Sequence, residues 1–193
     1  EALVVPSLVN FVGKAVNLYE LGYRYSGSIQ VMSHVVRSSW LWERVRVQGG
    51  AYGAFCSFDR MSGTLVFVSY RDPNLLETLE VFDGTAGFLR EHAPGPDELS
   101  RSIIGTIGDI DAYLLPDARG FTSLQRFLNG NTDALRQKMR EEILGATPED
   151  LRLLAEVLDR LKDKGTVAVL GSGQKIKTAN ITLNGLLQEQ TLL

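Results

Sequence analysis

The sequence predicts an α+β domain, an antiparallel β-sheet backed by helices. Three observations carry this expectation. Two aromatic and β-branched runs in the first half are separated by a turn-forming stretch. A series of amphipathic helical patterns follows from residue 72 to residue 164. A short apolar run, Thr166-Val167-Ala168-Val169-Leu170, then returns the chain to the sheet. With 193 residues, 44% hydrophobic and 22% charged, the chain is long enough to bury one core, so residues 1–193 are expected to form a single domain.

From Leu3 to Tyr19 the residues have strand character interrupted at Pro6 and Gly13, which suits a strand leaving its partner after Gly13-Lys14. Ser26-Gly27-Ser28 offers a helix cap. Ile29, Met32, Val36 and Trp40 follow at helical spacing, predicting a helix from Ser28 to about Glu43, with the Arg46 to Tyr52 segment leaving from its end. Phe55 to Phe58 and Leu65 to Tyr70, joined through Asp59-Arg60-Met61-Ser62-Gly63, read as an antiparallel hairpin.

Asp72-Pro73 opens a helix with Leu75, Leu76, Leu79, Phe82, Ala86 and Leu89 on one face, ending near Glu91. After Pro94-Gly95-Pro96, Leu99, Ile103, Ile107 and Ile110 mark a second helix, whose Gly105 and Gly108 would permit close approach of a neighbour. A third carries Phe121, Leu124 and Leu128 and stops at Gly130; a fourth, from about Thr132, carries Leu135, Met139 and Ile143 and stops at Gly145. Thr147-Pro148-Glu149-Asp150 caps a helix running to Lys164-Gly165. The tail, residues 171–193, is weakly patterned.

Net charge is −3 and pI about 5.5, so nothing electrostatic favours nucleic acid or an anionic membrane surface. Cys56 is the only cysteine, which excludes an internal disulfide and suits a reducing compartment. The apolar runs fall far short of the roughly 20 residues that cross a bilayer, so no membrane insertion is expected. The chain begins with Glu1 and reads at once as folded sequence, which suggests a piece of a longer protein.

Few residues can carry chemistry. His34 and His92 are the two histidines, neither with a carboxylate at metallopeptidase spacing, so no metal ligand set is expected in this chain. Cys56 falls within a predicted strand and reads as a small core residue. Asp109 and Asp111 do not share a helix face and read as a solvated helix end. Gly171-Ser172-Gly173-Gln174-Lys175 lacks phosphate-loop spacing and reads as a turn, and the charge runs Lys138 to Glu142 and Arg160 to Lys164 read as solvated helix faces.

What remains is Arg44-Val45-Arg46-Val47-Gln48-Gly49-Gly50-Ala51-Tyr52-Gly53, with a cation and a phenol on either side of two glycines. Arg46 could hold a carbonyl or carboxylate, and Tyr52 could donate to a developing oxyanion. Gly49 and Gly50 permit close approach of an extended ligand, yet equally suit a plain turn with Arg46 solvated and Tyr52 packed on the sheet.

The stretch from Trp42 to Gly53 resembles a signature of the pitrilysin-type metallopeptidases, within them the presequence-protease branch. Val5 to Lys14, Ser69 to Leu76, Ile103 to Tyr113 and Leu115 to Ala118 resemble the same family in the same order. The resemblance implies the fourth, C-terminal domain of a four-domain zinc metalloendopeptidase. Zinc would be bound by another domain, with none in this chain, and the isolated chain would be inactive. Tyr52 would stabilise the oxyanion, and Arg46, with Gly49 and Gly50, would bind substrate. Implied partners are short unfolded peptides, including cleaved targeting peptides, and the N-terminal half of the same protease; the implied location is the mitochondrial matrix or chloroplast stroma. The alternative is a non-catalytic, peptide-binding or structural homologue of the processing-peptidase type, which the loss of an upstream zinc motif would favour.

Overall fold

The computed structural model describes residues 1–92 and 94–192. The strands are β1 (Ala2–Val4), β2 (Phe11–Asn17), β3 (Gly53–Asp59), β4 (Thr64–Tyr70), β5 (Thr166–Gly171) and β6 (Glu189–Thr191). They form one mixed sheet in the order β3-β4-β2-β5-β1-β6. The hairpin β3–β4 and the pairs β2–β4 and β2–β5 are antiparallel. On the far side β1 runs parallel to both β5 and β6. The helix-backed α+β class is thus observed, with a parallel margin that the strand patterns do not reveal.

Register explains which face is buried. Cys56 pairs with Phe67, Phe67 with Lys14, and Lys14 with Val167, forming a row across four strands. Phe58, Leu65 and Val16 form the next row. All seven side chains are buried, as period-two alternation requires of the face beneath the helices. On the opposite face Val68 pairs with both Phe55 and Gly13, and Gly53 with Tyr70; Phe55, Val68 and Tyr70 are exposed. Gly13 does not end β2. The strand continues through it to Asn17, because β5 supplies ladder partners from Phe11 to Ala15 and β4 from Gly13 to Asn17.

The helices are α1 (Ser28–Val35), α2 (Leu76–Asp83), α3 (Thr85–Glu91), α4 (Pro96–Ile110), α5 (Pro116–Leu128), α6 (Asp133–Leu144), α7 (Pro148–Leu158), α8 (Leu161–Lys164) and α9 (Gly173–Thr182). Helix α1 does not stop near Glu43. It continues as a π-helical segment, Val36–Gln48, whose buried residues Val36, Leu41 and Val45 recur at the wider spacing of i→i+5 hydrogen bonding. Arg46 therefore sits on helix rather than in a loop. The helix expected from Pro73 to Glu91 is divided at Gly84, where an added Cβ would lie 3.2 Å from the Trp40 ring. The helix capped by Thr147 has the expected capping box with Asp150, but it breaks after Leu158.

Gly105 allows the expected close approach, since an added Cβ would lie 2.4 Å from Nε2 of His34, whereas Gly108 faces open space. Asp109 and Asp111 are exposed and pair with Arg37 and Arg140. Helix α5 forms as expected, yet none of its residues is buried, and Phe121, Leu124, Phe127 and Leu128 remain exposed. The weakly patterned tail folds into α9 and β6; Leu193 lies outside the described residues. Gly171-Ser172-Gly173 opens α9 rather than making an isolated turn, with Ser172 Oγ accepting a hydrogen bond from the Lys175 amide at 3.2 Å.

Candidate functional site

The two glycines join the π-helical segment to β3, and the backbone dictates both. Gly50 has φ +78°, a left-handed value costly to side-chain-bearing residues, and a Cβ on Gly49 would fall 2.6 Å from the Val45 carbonyl oxygen. The amides of Gly49, Gly50 and Ala51 donate to the carbonyls of Arg44, Arg46 and Val45 at 3.1, 3.0 and 3.1 Å, closing the helical segment. The Tyr52 amide then donates to the Tyr70 carbonyl at 3.1 Å, so β3 begins its ladder at once.

Two short-range contacts fix the side chains on either side of this turn. The Arg46 guanidinium carbon lies 4.0 Å over the Trp42 ring, within cation–π range, and Arg46 is itself exposed. The Tyr52 ring meets Tyr70 edge-on at 5.8 Å, Tyr70 meets Phe11 edge-on at 5.3 Å, and Tyr52 is 70% exposed. Among the described residues neither the Arg46 guanidinium nor the Tyr52 hydroxyl has a hydrogen-bond or ion-pair partner. Each is held on an aromatic platform with its polar end free, beside the uncovered face of the sheet that carries Phe55, Val68 and Tyr70.

The role of Trp42 is not evident from residue type alone. The four-residue spacing from Trp42 to Arg46 is its only sequence signal. Phe11 and Tyr70 become neighbours of Tyr52 through sheet register, which no local pattern encodes. Asn74, whose Nδ2 donates to the Gly49 carbonyl at 2.6 Å, had no signal.

Other reactive residues are occupied structurally. Cys56 is buried, and burial pushes its thiol up to about 12. Burial, with Arg37 nearby, lowers the His34 imidazole. His92 Nε2 lies 3.0 Å from Glu98, whose carboxyl also accepts a 2.9 Å hydrogen bond from Ser39. Among the described residues no three His, Cys, Asp or Glu side chains cluster to suit a metal ion. The donor set here does not fit zinc.

Comparison with known proteins decides the kinship. The family model described as the PreP C-terminal domain matches residues 1–173. The chain belongs to this family. Presequence protease 1, chloroplastic/mitochondrial, of Arabidopsis thaliana is 51% identical over 180 residues, covering 93% of this chain and 17% of that protein. The chain thus spans less than a fifth of the length of that relative.

Among solved structures, a peptidase M16 inactive domain from Pseudomonas fluorescens superposes with a TM-score of 0.63 at 15% identity, covering 89% of this chain and 43% of the other. Pitrilysin superposes with a TM-score of 0.57 at 17% identity, covering 88% and 19%. These likenesses show that the chain has the fold of M16 peptidase domains.

Proposed function

We propose that this chain is the fourth, C-terminal domain of a zinc metalloendopeptidase that degrades cleaved targeting peptides and other short unfolded peptides. In this reading the domain supplies substrate-handling side chains to a reaction centre assembled with the N-terminal half of the same protein. The observation that carries the reading is the pair Arg46 and Tyr52, both exposed, both seated on aromatic rings, and both with free polar ends.

The Tyr52 hydroxyl donates a hydrogen bond to the scissile carbonyl oxygen as negative charge gathers on it. The aromatic contact with Tyr70 limits the ring's freedom before substrate arrives, so little ordering cost falls on the transition state. Arg46 donates from its forked guanidinium to a backbone carbonyl of the peptide, with Trp42 holding the guanidinium plane. Gly49 and Gly50 leave room for an extended backbone beside the turn. Zinc belongs to another domain of the full-length protein, and this chain alone is inactive. Membership of the family and the names of its relatives support action in the mitochondrial matrix or chloroplast stroma.

The test is steady-state kinetics on the full-length protease. Tyr52→Phe is expected to lower kcat roughly 100-fold, the scale seen when one oxyanion donor is removed, with little change in KM. Arg46→Lys is expected to raise KM. Unchanged kcat in Tyr52→Phe would overturn the oxyanion role, and peptide cleavage by the isolated chain would overturn the division of labour.

A further inference from the structure

We propose that Asn74, held by Asp72 and Asn10, is a positioning residue for the Arg46 and Tyr52 pair and acts through the carbonyl of Gly49. This inference rests on the role given above to that pair.

The chain leaves β4 through Arg71, a non-glycine residue at φ +50°, and enters a fully buried polar junction. Asn10 and Asp72 are both 0% exposed. Their backbones pair in both directions, Asn10 amide to Asp72 carbonyl at 2.7 Å and Asp72 amide to Asn10 carbonyl at 2.8 Å. The Asp72 carboxylate accepts from the Asn74 amide at 2.9 Å and from the Thr78 hydroxyl at 2.7 Å. Asn10 Nδ2 donates to the Asn74 carbonyl at 3.0 Å. The Asn74 backbone is therefore gripped at both its amide and its carbonyl, and its side chain starts from a fixed base.

From that base Nδ2 of Asn74 donates to the Gly49 carbonyl at 2.6 Å, across 25 positions of sequence. The orientation of the amide follows from its partner, because a carbonyl oxygen can only accept. The location matters because Gly49 and Gly50 form the most permissive peptide in the connection. Changes in ψ of Gly49 and φ of Gly50 that do not cancel swing the two flanking segments against each other, and neither glycine has a side chain to oppose them; the amide of that peptide is held by the Arg46 carbonyl and its carbonyl by Asn74. Such a change would re-aim the π-helical segment carrying Arg46 against the strand entrance carrying Tyr52. The Tyr52 amide is fixed to Tyr70 on the strand side; on the glycine side Asn74 adds a restraint from outside the segment to the bond between the Gly50 amide and the Arg46 carbonyl. A misplacement near 1 Å can cost roughly 100-fold in rate, so one hydrogen bond at this hinge has leverage on turnover without touching substrate.

The experiment uses the full-length protease, with peptide-level hydrogen exchange over residues 44–55 and steady-state kinetics. Asn74→Asp keeps the side chain's shape and replaces the donor by an acceptor; Asn74→Ala removes both and serves if the first variant is poorly folded. The expected result is faster exchange confined to residues 44–55, a kcat reduced about tenfold or more and a KM changed less than about twofold. Asn74→Gln, which retains the amide, should recover part of kcat. In a Tyr52→Phe background Asn74→Asp should cost less than about twofold further, because the group it positions is already gone.

Unchanged exchange in residues 44–55 would overturn the inference even if Tyr52→Phe is defective. Independent, multiplying losses of kcat would overturn it too, as would exchange accelerated throughout the chain. Full turnover by Tyr52→Phe would instead defeat the oxyanion reading and the catalytic consequence claimed here, while exchange would still report whether Asn74 holds the turn.

Discussion

Removing the carboxylate of Asp83 should destabilise the domain far more than removing the lysine it faces. Lys14 lies in the middle of the buried row that runs from Cys56 to Val167, with only 5% of its side chain exposed. Its Nζ lies 2.5 Å from Asp83 Oδ1 and within 3.4 Å of the Lys162 carbonyl, whereas the Asp83 side chain is 20% exposed. Asp83→Ala leaves an ammonium group in the core with one carbonyl for company. Loss of one partner from a buried pair costs about 3–5 kcal/mol. At the usual conversion for chains of this size, 2–4 °C per kcal/mol, Tm should fall on the order of 10 °C.

Lys14→Met places an unbranched apolar chain in the same space. The remaining Asp83 is nearer the surface and keeps access to water, so the single change should cost less than Asp83→Ala. The double variant Lys14→Met with Asp83→Leu should be close to neutral or more stable than the parent by about 1–4 kcal/mol. Urea unfolding followed by circular dichroism, with unchanged m-values as the check on two-state comparison, measures all three. If Asp83→Ala costs below about 1 kcal/mol, or the double variant is as unstable as Asp83→Ala, the account of Lys14 as a desolvated charge rescued by its partner is wrong.

Two further outcomes follow from close packing. Gly105→Ala should destabilise by about 1–3 kcal/mol, because the new methyl group would displace the His34 ring between α1 and α4; Gly108→Ala, facing open space, should be neutral or slightly stabilising in the same melts. Cys56 should resist a thiol reagent in the native state and react at once in denaturant, since burial raises its thiol to about 12. The folded state retains that proton above the unfolded thiol value of about 8.5. This contribution is full below that pH and declines as pH rises towards about 12. Cys56→Ala should therefore flatten the alkaline loss of stability, and rapid labelling of native protein would refute the burial argument.

Much of the fold is legible because local chemistry and tertiary placement agree. The hairpin of β3 and β4, the capping box at Thr147 and Asp150, and the glycine stops of α5 and α6 each express a preference satisfied within a few residues. The π-helical segment is not legible, since its apolar residues follow neither period 3.6 nor period 2. Sequence spacing therefore ends that helix near Glu43 and places Arg46 in a connection. β6 escapes notice because all three of its residues are exposed, so no alternation marks it, and it joins the sheet only because β1 offers a parallel edge. Helix α5 presents the reverse situation. Its apolar spacing is clear, but nothing among the described residues covers it.

By itself the sequence determined the fold class, the family and the residue types available for chemistry. A forked cation and a phenol across two glycines limit what the site can do, and the scarcity of metal ligands limits what it cannot. Only the tertiary structure decided what holds them. Sheet register brings Tyr70 and Phe11 beside Tyr52, and the widened helical turn carries Trp42 under Arg46. The buried junction of Asn10 and Asp72 aims Asn74 at the Gly49 carbonyl. The physical reason is range: propensity and periodicity act over a few residues, whereas these restraints join segments that meet only after the sheet has closed.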